Sequence, residues 1–120
     1  MKYLLIIHMN PANWEALPAD VREAVMAGHD EFQQELNGTG ELLGFAALAD
    51  PSQTRVARVR DGELTVTDGP YLEAKEWLAG YYAIETDTPE RAYEIAGKIP
   101  DAKYFAIEVR PIMASSGLEM

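Results

Sequence analysis

Two histidines and an Asp-Gly-Pro turn are the groups in this sequence best suited to chemistry. His29 lies four residues after Val25 and three before Phe32. On a helix that spacing puts it within or beside an apolar stripe. A partly desolvated imidazole there can be tuned for proton transfer; a boundary histidine satisfied by one hydrogen bond fits the same position. His8 ends an apolar run just before Met9-Asn10-Pro11, where a side chain either lines a cleft or meets solvent. Asp68 heads Asp68-Gly69-Pro70-Tyr71. An aspartate in such a turn commonly accepts hydrogen bonds from the backbone N–H groups that follow it. Pro70 has no N–H to offer, which leaves lone pairs for a histidine or a ligand. A carboxylate orienting an imidazole is a recurrent acid–base arrangement, although sequence separation does not show whether the two meet.

The aromatic run with Trp77, Tyr81 and Tyr82 supplies either pocket walls or core, and Arg110 either binds a carboxylate or snorkels from a sheet edge. Other familiar chemistry is missing. There is no phosphate-binding or dinucleotide glycine loop, no histidine pair at metal-ligand spacing and no serine elbow. Without cysteine there is no disulfide, thiolate nucleophile or thiolate-held metal. Neither a cofactor nor a metal is expected.

Positioning these groups requires a framework, and the hydrophobic pattern supplies one. Tyr3 to His8 reads as a central strand covered on both faces. Asn10 to Pro18, with Trp14, reads as a loop. The spacing of Val21, Val25, Gly28, Phe32 and Leu36 predicts a helix from about Pro18 to Asn37, closed by Asn37-Gly38-Thr39-Gly40. Strands follow at Leu42–Leu48, Thr54–Arg60 and Glu63–Thr67, the last two flanking the hairpin signal Asp61-Gly62. A further strand spans Leu78–Glu85. Thr88-Pro89-Glu90 caps a second helix to about Lys98, and Phe105 to Pro111 alternates as a last strand. The order β-α-β-(hairpin)-β-α-β is the split βαβ pattern of a ferredoxin-like α+β sandwich with an inserted β-hairpin, in a single domain over residues 1–120. Two helices cover only one face of such a sheet, so strands apolar on both sides imply a homodimer.

The formal net charge is −10, and from Pro11 to Asp50 eight acids face Arg22 alone. That surface repels phosphate backbones and anionic lipids, which argues against nucleic acid and membrane as partners. The apolar segment Leu4 to Ile7 is too short for a signal-peptide core, and a cytoplasmic location is expected.

Over nearly its whole length the chain resembles the YCII-related family, in its DGPF-type branch. The resemblance rests on the opening Met1-Lys2-Tyr3-Leu4-Leu5-Ile6, the helix around "HDEFQQEL", and "VRDGELTVTDGPYLEAKEWLAGYYAIE". It continues through "ERAYEIAGKIP" to "IEVRPIM". Tyr71 stands where the motif usually has Phe. The resemblance implies a dimeric α+β barrel fold and a His–Asp site. The family's histidine lies eleven residues before a glycine, as His29 does before Gly40. Its helix-end aspartate has no counterpart in Asn37-Gly38-Thr39, so Asp68 becomes the candidate partner. The implied function is acid–base chemistry on a small organic molecule (isomerisation, lactone handling or dehalogenation), with His29 and Asp68 catalytic. His8, Tyr71 and Tyr81 are the substrate-binding candidates. The alternative is a non-catalytic ligand-binding or regulatory module associated with a sigma-type transcription factor.

Overall fold

The computed structural model describes residues 1–70 and 76–117. Its main sheet has four strands in the order β2-β5-β1-β6, where β1 is Lys2–Met9, β2 Leu42–Ala47, β5 Trp77–Glu85 and β6 Ile107–Pro111. All three ladders are antiparallel, so β1 and β2 run parallel with β5 between them. This is an α+β arrangement compatible with a ferredoxin-like fold. A separate two-stranded sheet pairs β3, Arg55–Arg60, with β4, Glu63–Asp68. Asp61 and Gly62 turn between them with positive φ, as the tight turn of a hairpin requires.

Helices α2, Ala19–Thr39, and α3, Pro89–Lys98, supply the layer over the main sheet. Each end follows from a local residue choice. Gly40 closes α2 in the left-handed region at φ 79°. Thr88 caps α3 by accepting from the Arg91 N–H, with proline in the first turn. Phe32 and Leu36 on α2, and Ala92, Ile95 and Ala96 on α3, pack with Tyr3, Leu5 and Ile7 of β1 and Tyr82 and Ile84 of β5. Burying one such large side chain contributes about 1.5–3 kcal/mol.

Two local expectations change. Asn10 to Pro18 is not simply a loop: Pro11–Ala16 forms a short helix, α1, because the Asn10 side chain accepts from the N–H groups of Ala12 and Asn13. Among the described residues of the single chain, β1 is covered on one face only. Tyr3, Leu5 and Ile7 are buried while Leu4 and Ile6 are partly exposed, as the alternation of a strand dictates when one side lacks a second layer.

Candidate functional site

The site is built where α2, β5 and the chain just beyond α3 converge. His29 projects from α2 with a side chain only 19% exposed. Gln33 follows it by one helical turn, which places both on the same face. Tyr82 comes from β5 and points into the core face, its ring held edge-on to Phe32 at 4.7 Å and against Phe45 at 5.6 Å. After α3, Ile99-Pro100 leads into a 3₁₀ turn, Pro100–Lys103, that carries Asp101. Asp101 is buried.

These four side chains form one hydrogen-bonded line. The Gln33 amide donates to the Tyr82 hydroxyl oxygen at 3.0 Å. The Tyr82 oxygen lies 2.7 Å from His29 Nδ1, and His29 Nε2 lies 2.6 Å from Asp101 Oδ1. A buried carboxylate only accepts, so Nε2 carries the hydrogen. A neutral imidazole then has Nδ1 bare, and the Tyr82 O–H donates to it. The three hydrogen bonds of the line then share one direction of donation, from Gln33 to Asp101. Burial, first of all, pushes the Tyr82 hydroxyl above its ordinary range; the Gln33 bond works against this, and the charges of Asp101 and Asp30 reinforce it. The phenol therefore stays protonated and acts as a donor rather than as a phenolate.

Asp101 reaches His29 because Gly28 leaves room for it. A Cβ on Gly28 would stand 2.7 Å from Cγ of Pro100, so the missing side chain allows the 3₁₀ turn to settle on α2. Beside the line lies a cavity of about 430 Å³, walled chiefly by Trp14, Met26, Phe45 and Leu48, with His29 and Tyr82 on its polar side. Gly80 also borders it. A Cβ there would lie 2.5 Å from the Ala46 carbonyl oxygen, so glycine lets β2 and β5 pair closely at the cavity wall.

The residues singled out in the sequence fall in different places. His29 is in the line and at the cavity. The carboxylate that meets it is Asp101, not Asp68. Asp68 ends β4 on the two-stranded ribbon, 92% exposed and 3.4 Å from Arg55 Nε. Next to it the Gly69 N–H donates to the Thr54 carbonyl at 3.0 Å. Pro70 borders a different, open groove of about 390 Å³ with Leu48 and Trp77. His8 stands on the uncovered sheet face against Glu108, with its Nε2 beside the Glu108 carboxylate Oε1. The contact lacks hydrogen-bond geometry, and Nε2 of His8 makes no hydrogen bond.

Tyr81 pairs with Ile6 and Ala46 and so faces away from the helices. Its neighbour Tyr82 takes the position at the cavity. Tyr71 lies outside the described residues. Sequence reasoning missed Asp101 altogether and gave Gln33 no role. Gln33 had a signal, its spacing of four from His29 on a helix. Asp101 had little, being one acid among 20, placed by a turn rather than by a periodic element.

Fold and site together define a small α+β protein with an imidazole–carboxylate pair at an apolar cavity. The chain belongs to the YCII-related domain family, whose model matches residues 1–116. An uncharacterised protein, R00369, of Rhizobium meliloti (strain 1021) is 28% identical over 114 residues, spanning 93% of this chain and 92% of that protein. The similarity therefore runs from end to end, and that relative's name assigns no activity.

Proposed function

We propose that the cavity binds a small organic molecule and moves a proton on it through Tyr82, His29 and Asp101. The observation that carries this reading is the unbroken line of short hydrogen bonds from Asp101 through His29 to the Tyr82 hydroxyl, beside a cavity large enough for such a molecule. In the forward step a substrate C–H or O–H gives its proton to the Tyr82 oxygen as the Tyr82 proton passes to His29 Nδ1. The resulting imidazolium keeps its Nε2–H on Asp101, whose charge stabilises it. Reversal returns the proton to another atom of the same molecule, which is isomerisation, or to a leaving group. Lactone handling and dehalogenation are variants of that step. Within the YCII-related family, the Asp68-Gly69-Pro70-Tyr71 motif supports placing the chain in the DGPF-type branch. The partly exposed apolar face of Leu4, Ile6 and Tyr81 supports a homodimer.

Hydrogen exchange tests the reading without knowledge of the natural substrate. Acetophenone incubated in D2O should lose its α-proton signal faster with the wild-type protein than with His29→Ala or Tyr82→Phe. Equal exchange in all three, with both variants folded, contradicts the proposal.

A further inference from the structure

The charge of the cavity restricts what enters it. Among its described lining residues are two carboxylates, Asp30 and Asp101, and no lysine or arginine. Asp101 is committed to His29. Asp30 is exposed on α2 next to His29, and no cation among the described residues pairs with it. Arg22 lies in a neighbouring groove that shares Trp14 and Met26 with the cavity. Its guanidinium is held by the carbonyl oxygens of Glu15 and Leu17, and Glu23 shares that groove. The whole chain adds a net −10. An anion entering here would leave water for apolar walls and meet uncompensated negative charge. Trp14, Phe45 and Tyr82 line the cavity, and three aromatic rings suit a flat aromatic ligand.

We infer that the ligand is a small aromatic molecule bearing no negative charge, and that Asp30 is the residue that enforces this choice. The inference rests on the proposed use of the cavity but not on turnover. An uncharged aromatic compound qualifies, and an aromatic carboxylate does not.

Benzamide and benzoate, nearly equal in shape and differing by one charge, are the probes. Each is titrated into the full chain while the Trp14 indole N–H resonance is followed. Benzamide should bind at least about tenfold more tightly than benzoate, a difference of about 1.4 kcal/mol. Asp30→Asn should shrink that ratio severalfold by admitting benzoate, with benzamide affinity little changed. Benzoate binding as tightly as benzamide, neither probe shifting Trp14, or a ratio unchanged in Asp30→Asn would each overturn the inference. Repeating the titration in Tyr82→Phe separates the two claims. A preserved charge order, together with wild-type acetophenone exchange no faster than in the variants, sinks the proton-transfer reading alone.

Discussion

The Tyr82 hydroxyl is the joint of the site, because it is the one atom that both accepts from Gln33 and contacts His29. Tyr82→Phe keeps the ring packing against Phe32 and deletes only that joint. It strands the Gln33 amide and His29 Nδ1, so thermal or chemical unfolding should show a loss of about 1–2 kcal/mol. Asp101→Asn acts differently. An amide oxygen still accepts from Nε2–H, so stability changes little, but the charge that steadies an imidazolium is gone. Proton transfer should fall by about 10²-fold or more, measured as α-proton exchange. Asp68→Asn, on an exposed pair with Arg55, should alter stability by less than about 0.5 kcal/mol and leave exchange unchanged.

Elements bring these residues together, and one glycine controls the meeting. Gly28→Ala sets a helix-propensity gain of about 1 kcal/mol against a Cβ 2.7 Å from the rigid Pro100 ring. Overpacking of that kind costs about 1–3 kcal/mol, so net destabilisation and a shifted His29 resonance are expected. Gly38→Ala in the same helix meets nothing within 4 Å and should stabilise, by up to about 1 kcal/mol. The far end of the sheet is tied by Glu41, which accepts from Arg91 and from the Thr86 hydroxyl. The Arg91 bonds, above all, lower the Glu41 carboxyl from 4.5 to about 2. The ionised form is therefore favoured by folding. Its contribution is full above about pH 4.5 and is lost as pH falls towards about 2. Glu41→Gln should flatten that acid limb of a stability–pH profile, removing about 1–3 kcal/mol of pH-dependent stability.

Sequence periodicity and cap residues placed α2, α3 and the strands within a few residues, since those signals are local. The parity of β5 was harder to read, because adjacent tyrosines are equivalent until the β1–β5 register sets Tyr82 opposite the buried Leu5 and Tyr81 opposite Ile6. The His29–Asp101 pair joins residues 72 apart, and its meeting depends on three packed elements rather than on any motif.

At the scale of the molecule, four strands and two layer-forming helices leave one sheet face without a second layer among the described residues. The proposed homodimer closes it, with Leu4, Ile6 and Tyr81 as its apolar centre and His8 and Glu108 to one side. Sedimentation should give twice the 13.3 kDa chain mass, and Ile6→Glu should return the monomer while leaving the helix-facing cavity intact. A monomeric wild-type protein would remove the dimer without touching the site, which lies on the opposite face of the sheet.

The direction of the proton line is the claim on which the rest depends, and the ¹⁵N chemical shifts of His29, assigned by comparison with His29→Ala, report it directly. At a pH where the ring is neutral, His29 should be the Nε2–H tautomer, with Nδ1 unprotonated and accepting from Tyr82. A neutral His29 carrying its hydrogen on Nδ1 would contradict it.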